Sequence, residues 1–266
     1  MFWERFKSSV VLMIITIFSL VMGGNVLFAV ITIISLIGLN ELFKVYNIDK
    51  KLPGAAGYIG SLIYSALVFT QADKYMFAFA VFFLLFVMTV YVLTFPKYTS
   101  EQIIPVFFGV FYVTVMLNYI YRVRMLDSGV YIVWLAFIGS WGSDTCAYLV
   151  GRKFGKKKIA PELSPKKTLE GCMGGVAGAA LLGLLFALVF GSKMPEFNNP
   201  VLSFMVIGAA SSIISQVGDL AASAIKRNHN IKDYGKLIPG HGGILDRFDS
   251  IIFTAPIVYY LTLIFA

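Results

Sequence analysis

Four aspartates, five basic residues and both histidines fall between Gly218 and Asp249 of a 266-residue chain that is 58% hydrophobic. The acids are Asp219, Asp233, Asp246 and Asp249; the bases are Lys226, Arg227, Lys232, Lys236 and Arg247. A glycine-rich turn, Gly240-His241-Gly242-Gly243, stands just ahead of the second acid pair. Apolar stretches flank this run on both sides, so its charges lie at or just inside a membrane surface, where ionisable groups are costly and mark function. Carboxylates suit a divalent cation, lysine and arginine suit phosphate, and glycines let backbone amides approach an anion. The combination reads as phosphate chemistry on a lipid.

Two further stretches join it. Asp144 precedes Arg152 by eight residues, and Asp219 precedes Arg227 by eight. At the helical rise each lies ~12 Å along its helix from the basic end, so the two carboxylates can share one depth. Asp219, Ser223 and Lys226 share a helical face, as do Asp246 and Asp249. Packing alone offers an account of each pair: an internal salt bridge for Asp144 and Asp219, a favourable helix dipole for Asp246 and Asp249. Four acids converging on one side of a membrane fit a magnesium site better, with substrate phosphates completing its shell. In Ser164-Pro-Lys166-Lys167-Thr168 two hydroxyls flank two lysines, which suits a triphosphate, whereas Arg152 to Lys158 is equally explained by anionic lipid. His241 suits a phosphate-binding turn better than a proton carrier. Glu41, alone near a helix end, is given no role.

Charged residues make up only 14% of the chain and mean hydropathy is +0.81, against roughly 25% charged in soluble domains. The expected fold is therefore all-α and polytopic. About nine transmembrane helices are predicted, near 8–22, 26–45, 54–70, 75–95, 103–119, 130–151, 171–191, 201–225 and 244–266. A signal peptide at the start is disfavoured, because Gly23-Gly24-Asn25 leads into another span with no cleavage-type site. Residues 1–121 form the N-terminal spans. Residues 122–266 form the catalytic region, with polar loops at 152–170 and 226–247. A cytoplasmic N-terminus and an outside C-terminus put 18 of the 22 Lys and Arg on the inner side. The net charge of +8 thus reads as membrane orientation, not nucleic-acid binding. Arg122 and Arg124, on the outer side, read as interfacial anchors. Cys146 and Cys172 read as packing residues. The small-residue spacing of Gly171, Gly174, Gly175 and Gly178 reads as close helix packing, within the chain or across a dimer.

The residues resemble the CDP-diacylglycerol synthases, or phosphatidate cytidylyltransferases. The match is Ser223, Lys226, Arg227, Lys232, Asp233, Gly235, Pro239, His241, Gly242, Gly243, Asp246, Arg247 and Asp249, with no position of the signature missing. The stretch around Asp144, Gly218-Asp219-Leu220 and Ser164 to Thr168 are also similar to the family. The resemblance implies transfer of a cytidylyl group from CTP to phosphatidate in the cytoplasmic (inner) membrane, with the active site facing the cytoplasm. Its implied roles are magnesium on Asp219 and Asp246, with Asp144 and Asp249 completing an acidic cluster that has room for a second cation. Lys226, Arg227, Lys166 and Lys167 would hold the CTP phosphates and the lipid headgroup. Ser164, Thr168, Ser223, Lys232, His241, Gly242, Gly243 and Arg247 would complete substrate binding, and a homodimer is expected. Three rivals remain: a CTP-dependent lipid kinase using the γ-phosphate, the same chemistry on an archaeal ether lipid, and a cation-coupled transporter.

Overall fold

A computed structural model describes residues 2–240 and 242–266, with the side chains of 2 and 4–6 left aside. The described residues are helical, without strands apart from isolated bridges. Helices α1 (Phe2–Met22), α2 (Gly24–Val45), α3 (Leu52–Phe69), α4 (Met76–Thr94) and α5 (Ser100–Arg124) come first. After them come α6 (Gly129–Ile132), α7 (Trp134–Phe137), α8 (Ser143–Phe154), α9 (Leu169–Phe190), α10 (Pro200–Asn228) and α11 (Leu245–Phe265). Among the described residues seven helices are long and apolar enough to cross a membrane, and Lys7–Met22 forms a shorter apolar helix. The chain is an all-α, multi-pass membrane protein.

The predicted span over residues 103–119 carries a π-helical stretch at Val110–Val115, and the one over residues 130–151 departs further. It is not a single helix: α6, α7, a π-helical stretch at Ile138–Gly142 and α8 come in turn. At Gly139 an added Cβ would lie 2.4 Å from the Ser211 Cβ, and at Gly142 it would lie 3.0 Å from Leu182. The wide turn therefore passes directly against α10 and α9. A π stretch of this kind inserts one residue per turn and re-aims the side chains beyond it, Asp144 among them.

The chain divides into two units, residues 1–121 with 233–247, and residues 122–232 with 248–266. In the first unit α3 and α5 are joined by a polar ladder within an apolar interior. Ser61 and Thr114 hydroxyls lie 2.8 Å apart, and Asn118 donates to Ser65 Oγ (3.3 Å) and to the Thr114 carbonyl (2.8 Å). Such bonds act as glue between helices where water cannot compete. Leu39, Leu42, Phe43 and Val106 of the same unit are fully buried, against Gly57 and Gly109.

The second unit is built on the small-residue face of α9. Gly171, Gly175, Ala179, Gly183 and Ala187 recur every fourth residue and are all buried. Gly174 and Gly178 lie against Val150 and Cys146 of α8, and Gly183 lies against the Phe204 carbonyl of α10. This face is used within the chain, which decides between the two readings the sequence left open for it. Cys146 is a packing residue here. An added Cβ would lie 2.3 Å from the Phe204 oxygen at Gly183 and 2.5 Å from the Ala179 oxygen at Gly208. Backbone cannot yield as a side-chain tip does, so Gly183→Val or Gly208→Val should cost about 1–3 kcal/mol. A lowered Tm in detergent checks this; an unchanged Tm would mean that α9 and α10 are not packed this closely.

Candidate active site

The second unit positions most of the predicted side chains. Helix α10 has 29 residues, ~44 Å of helix against a hydrocarbon core of ~30 Å. Its last turns, carrying Asp219, Ser223, Lys226 and Arg227, therefore reach the polar boundary. Lys226 and Arg227 occupy the last turn, where cations complement the carbonyl end of the helix dipole. The start of α9 is fixed by its N-cap, Thr168, whose hydroxyl accepts the Gly171 N–H at 3.2 Å.

The loop between α8 and α9 is folded back on itself. Glu170 accepts the backbone N–H groups of Lys156 (2.9 Å) and Lys157 (3.2 Å). Leu169 donates to the Lys157 carbonyl at 2.8 Å, and Lys158 bridges to Thr168. Within the loop the Lys167 amide donates to the Ser164 carbonyl at 3.1 Å. This brings Lys166, Lys167 and Thr168 onto the side of α8 that carries Asp144 and Arg152. Together these five residues line a cavity of about 270 Å³, with Tyr148, Cys172 and Gln216 also on its wall.

Asp219 enters through Lys167, whose Nζ forms an ion pair with Asp219 Oδ2 at 2.5 Å. The two side chains are 21% and 31% exposed, while the Lys167 Nζ itself is buried against the carboxylate. Below it the Ser143 and Ser212 hydroxyls lie 2.6 Å apart, and Gln216 donates to the Cys172 carbonyl (3.1 Å). These bonds fix α8, α9 and α10 beneath the cavity. Asp249 is buried, and its Oδ1 accepts the Ser250 N–H at 2.8 Å. Its carbonyl lies 3.0 Å from where a Gly218 Cβ would stand, so α11 crosses α10 one residue before Asp219. Lys232 is exposed and, like Ser223, Lys226 and Arg227, is not on the cavity wall.

The remaining predicted residues belong to the first unit. Asp246 is 7% exposed and its Oδ2 accepts two backbone amides, Tyr234 (2.8 Å) and Gly243 (2.9 Å). Gly240 and Gly242 have φ of 75° and 86°, a left-handed backbone that side chains other than glycine rarely adopt. The Ile238 amide donates to the Gly242 carbonyl at 2.9 Å and closes the turn. Arg247 is partly buried, and His241 lies outside the described residues.

Among the described residues no three His, Cys, Asp or Glu side chains form a metal-holding group. The donor set still suits an ion that takes one or two carboxylates and completes its shell with phosphate and water, as magnesium does at nucleotide sites. Asp144 on the cavity wall and Asp219 at its lysine meet that requirement.

Sequence reasoning gave no role to Tyr148, Gln216 and Glu41, and took Arg152 as equally explained by anionic lipid. Gln216 carried the clearest signal, as an amide side chain within an apolar span three residues before Asp219. Glu41 is 4% exposed, and its two carboxylate oxygens accept the Ile244 (3.1 Å) and Leu245 (2.8 Å) amides.

Comparison with known proteins agrees with this chemistry. A family model described as the cytidylyltransferase family matches residues 3–265. A protein of Bacillus subtilis (strain 168) named phosphatidate cytidylyltransferase is 34% identical over 272 residues, covering 99% of this chain and 98% of that one. Proteins of the same name from Synechocystis sp. and Staphylococcus aureus (strain COL) are 31% and 32% identical. Those two matches cover 98% and 97% of this chain, and 96% and 97% of theirs. Matched over nearly its whole length, the chain belongs to the cytidylyltransferase family and is a nucleotidyltransferase.

Proposed function

We propose that the protein transfers the cytidylyl group of CTP to phosphatidate, forming CDP-diacylglycerol and pyrophosphate. The observation that carries this reading is the cavity lined by Arg152, Lys166, Lys167 and Asp144, with Asp219 held at Lys167. Three cations beside one wall carboxylate suit a polyphosphate that brings its own metal. A phosphate oxygen of the lipid attacks the α-phosphorus, a new P–O bond forms, and the bond to the β-phosphate oxygen breaks. Pyrophosphate carries away the electron pair. No side-chain nucleophile is needed, because transfer of this kind asks the protein mainly for positioning and charge neutralisation.

Lys166, Lys167 and Arg152 hold the CTP phosphates, and Lys226 and Arg227 at the end of α10 hold the lipid phosphate. Ser164, Thr168, Ser223, Lys232, His241 and Arg247 are proposed to complete substrate binding. Magnesium on Asp219 and Asp246 would neutralise charge developing on the phosphates. Asp144 and Asp249 are proposed to complete the acidic cluster and admit a second cation. For Asp246 and Asp249 the support is the signature alone. Gly242 and Gly243 offer backbone amides to the nucleotide. The basic distribution supports an inner-membrane protein with nine spans, a cytoplasmic N-terminus and a cytoplasmic active site. A homodimer is proposed on the resemblance alone, and it would use a surface other than the small-residue face of α9.

Release of pyrophosphate by purified protein tests the acceptor. Phosphatidate with CTP and magnesium should release it, and diacylglycerol in place of phosphatidate should not. Turnover supported by diacylglycerol would overturn the assignment of the lipid phosphate as nucleophile.

A further inference from the structure

We infer that Glu41, on α2 and far in sequence from the signature, is a positioning residue for the Gly242-to-Arg247 limb of the active site. The inference rests on the cytidylyl-transfer reading.

The carboxylate of Glu41 meets the limb at its tightest point. Its Oε1 accepts the Ile244 amide and its Oε2 the Leu245 amide. These are among the N–H groups that the start of α11 leaves without helical partners. The preceding amide, Gly243, is taken by Asp246 Oδ2. Three consecutive amides are thus divided between two carboxylates, one from α2 and one from the limb itself. Asp246 in turn reaches across to the Tyr234 amide. Asp246 thus ties the start of the loop 233–247 to Gly243, and Glu41 ties its end.

Two glycines of the signature record the same contact. A Cβ on Gly235 would lie 2.3 Å from Glu41 Oε1, and one on Gly243 would lie 2.4 Å from Oε2. Neither glycine has a positive φ, so backbone conformation does not require it. The space each leaves is filled by the Glu41 carboxylate. Two signature positions therefore owe their residue type to a side chain outside the signature. A buried carboxylate with no role beyond packing would be an expensive choice at this position, since an apolar residue costs no desolvation. Glu41 holds in place the segment that presents Asp246 and the Gly242 and Gly243 backbone, without touching substrate itself.

The test compares wild type, Glu41→Gln and Glu41→Ala in detergent, with kcat, both KM values and amide hydrogen exchange. Displacing a positioned group by about 1 Å costs on the order of 100-fold. Glu41→Ala should lose about that in kcat, with KM for CTP moving less than about threefold. Glu41→Gln keeps one acceptor oxygen and should recover part of the loss. The Ile244 and Leu245 amides should exchange faster in both variants, while α3 to α5 keep wild-type protection. Wild-type kcat in Glu41→Ala would overturn the inference. So would loss of protection spread evenly over the first unit, which would make Glu41 a stability residue only. An inactive wild type would instead count against the cytidylyl-transfer reading and leave the exchange result to decide the tether.

Discussion

Asp219→Asn should reduce turnover by about 100- to 1,000-fold, the range for removing one preorganised electrostatic contact to a transition state. The substitution keeps the volume and a hydrogen-bonding oxygen for Lys167, its ion-pair partner, so the fold should survive with its Tm nearly unchanged. Two effects combine. On the proposed assignment the metal would lose a charged ligand, and Lys167 would lose the carboxylate it pairs with. Raising magnesium should recover only part of the rate, since affinity can be restored by mass action and lysine placement cannot. Asp246→Asn separates charge from scaffold in the same way, because an amide oxygen can still accept the Tyr234 and Gly243 N–H groups. Near-wild-type rates in both variants at saturating magnesium would remove these residues from the metal assignment.

Replacing Lys166 and Lys167 together with alanine should raise the KM for CTP by about 10- to 100-fold, each charge-assisted phosphate contact contributing on the order of 1.5–3 kcal/mol with losses not fully additive. The KM for phosphatidate should stay within about twofold, since uniform binding of one substrate is what is lost. The geometry separates the two basic groups: Lys166 and Lys167 line the cavity with Asp144 and Arg152, and Lys226 and Arg227 do not. If the lipid KM moved and that for CTP did not, the two basic pairs would exchange roles.

Sequence alone carried the helical, membrane-spanning class, because long apolar runs separated by charged turns admit few other folds. It also marked Asp144, Lys166, Lys167 and Thr168 as candidates, because polar groups stand out against an apolar background, whereas their place on one cavity wall is read from the structure. The break of residues 129–154 into short helices was not legible, since apolar periodicity continues through the π stretch. Glu41 was missed for a related reason. Its partners lie 203 and 204 residues away, and a single glutamate near a helix end is ordinarily solvated. The signal existed in Gly235, a glycine outside the Gly240-to-Gly243 turn, but it points to a close neighbour without naming which. The face of α9 illustrates the opposite limit. Small residues every fourth position announce close packing, and only the positions of Val150, Cys146 and Phe204 say that the partner is this same chain.

The most direct measurement traces the label of CTP in purified protein supplied with phosphatidate and magnesium. With the α-phosphorus labelled, radioactivity should enter the lipid extract in step with pyrophosphate release, and with the γ-phosphorus labelled it should leave only as pyrophosphate. Label from the γ-position appearing in lipid would contradict cytidylyl transfer and make the same nucleotide site that of a lipid kinase.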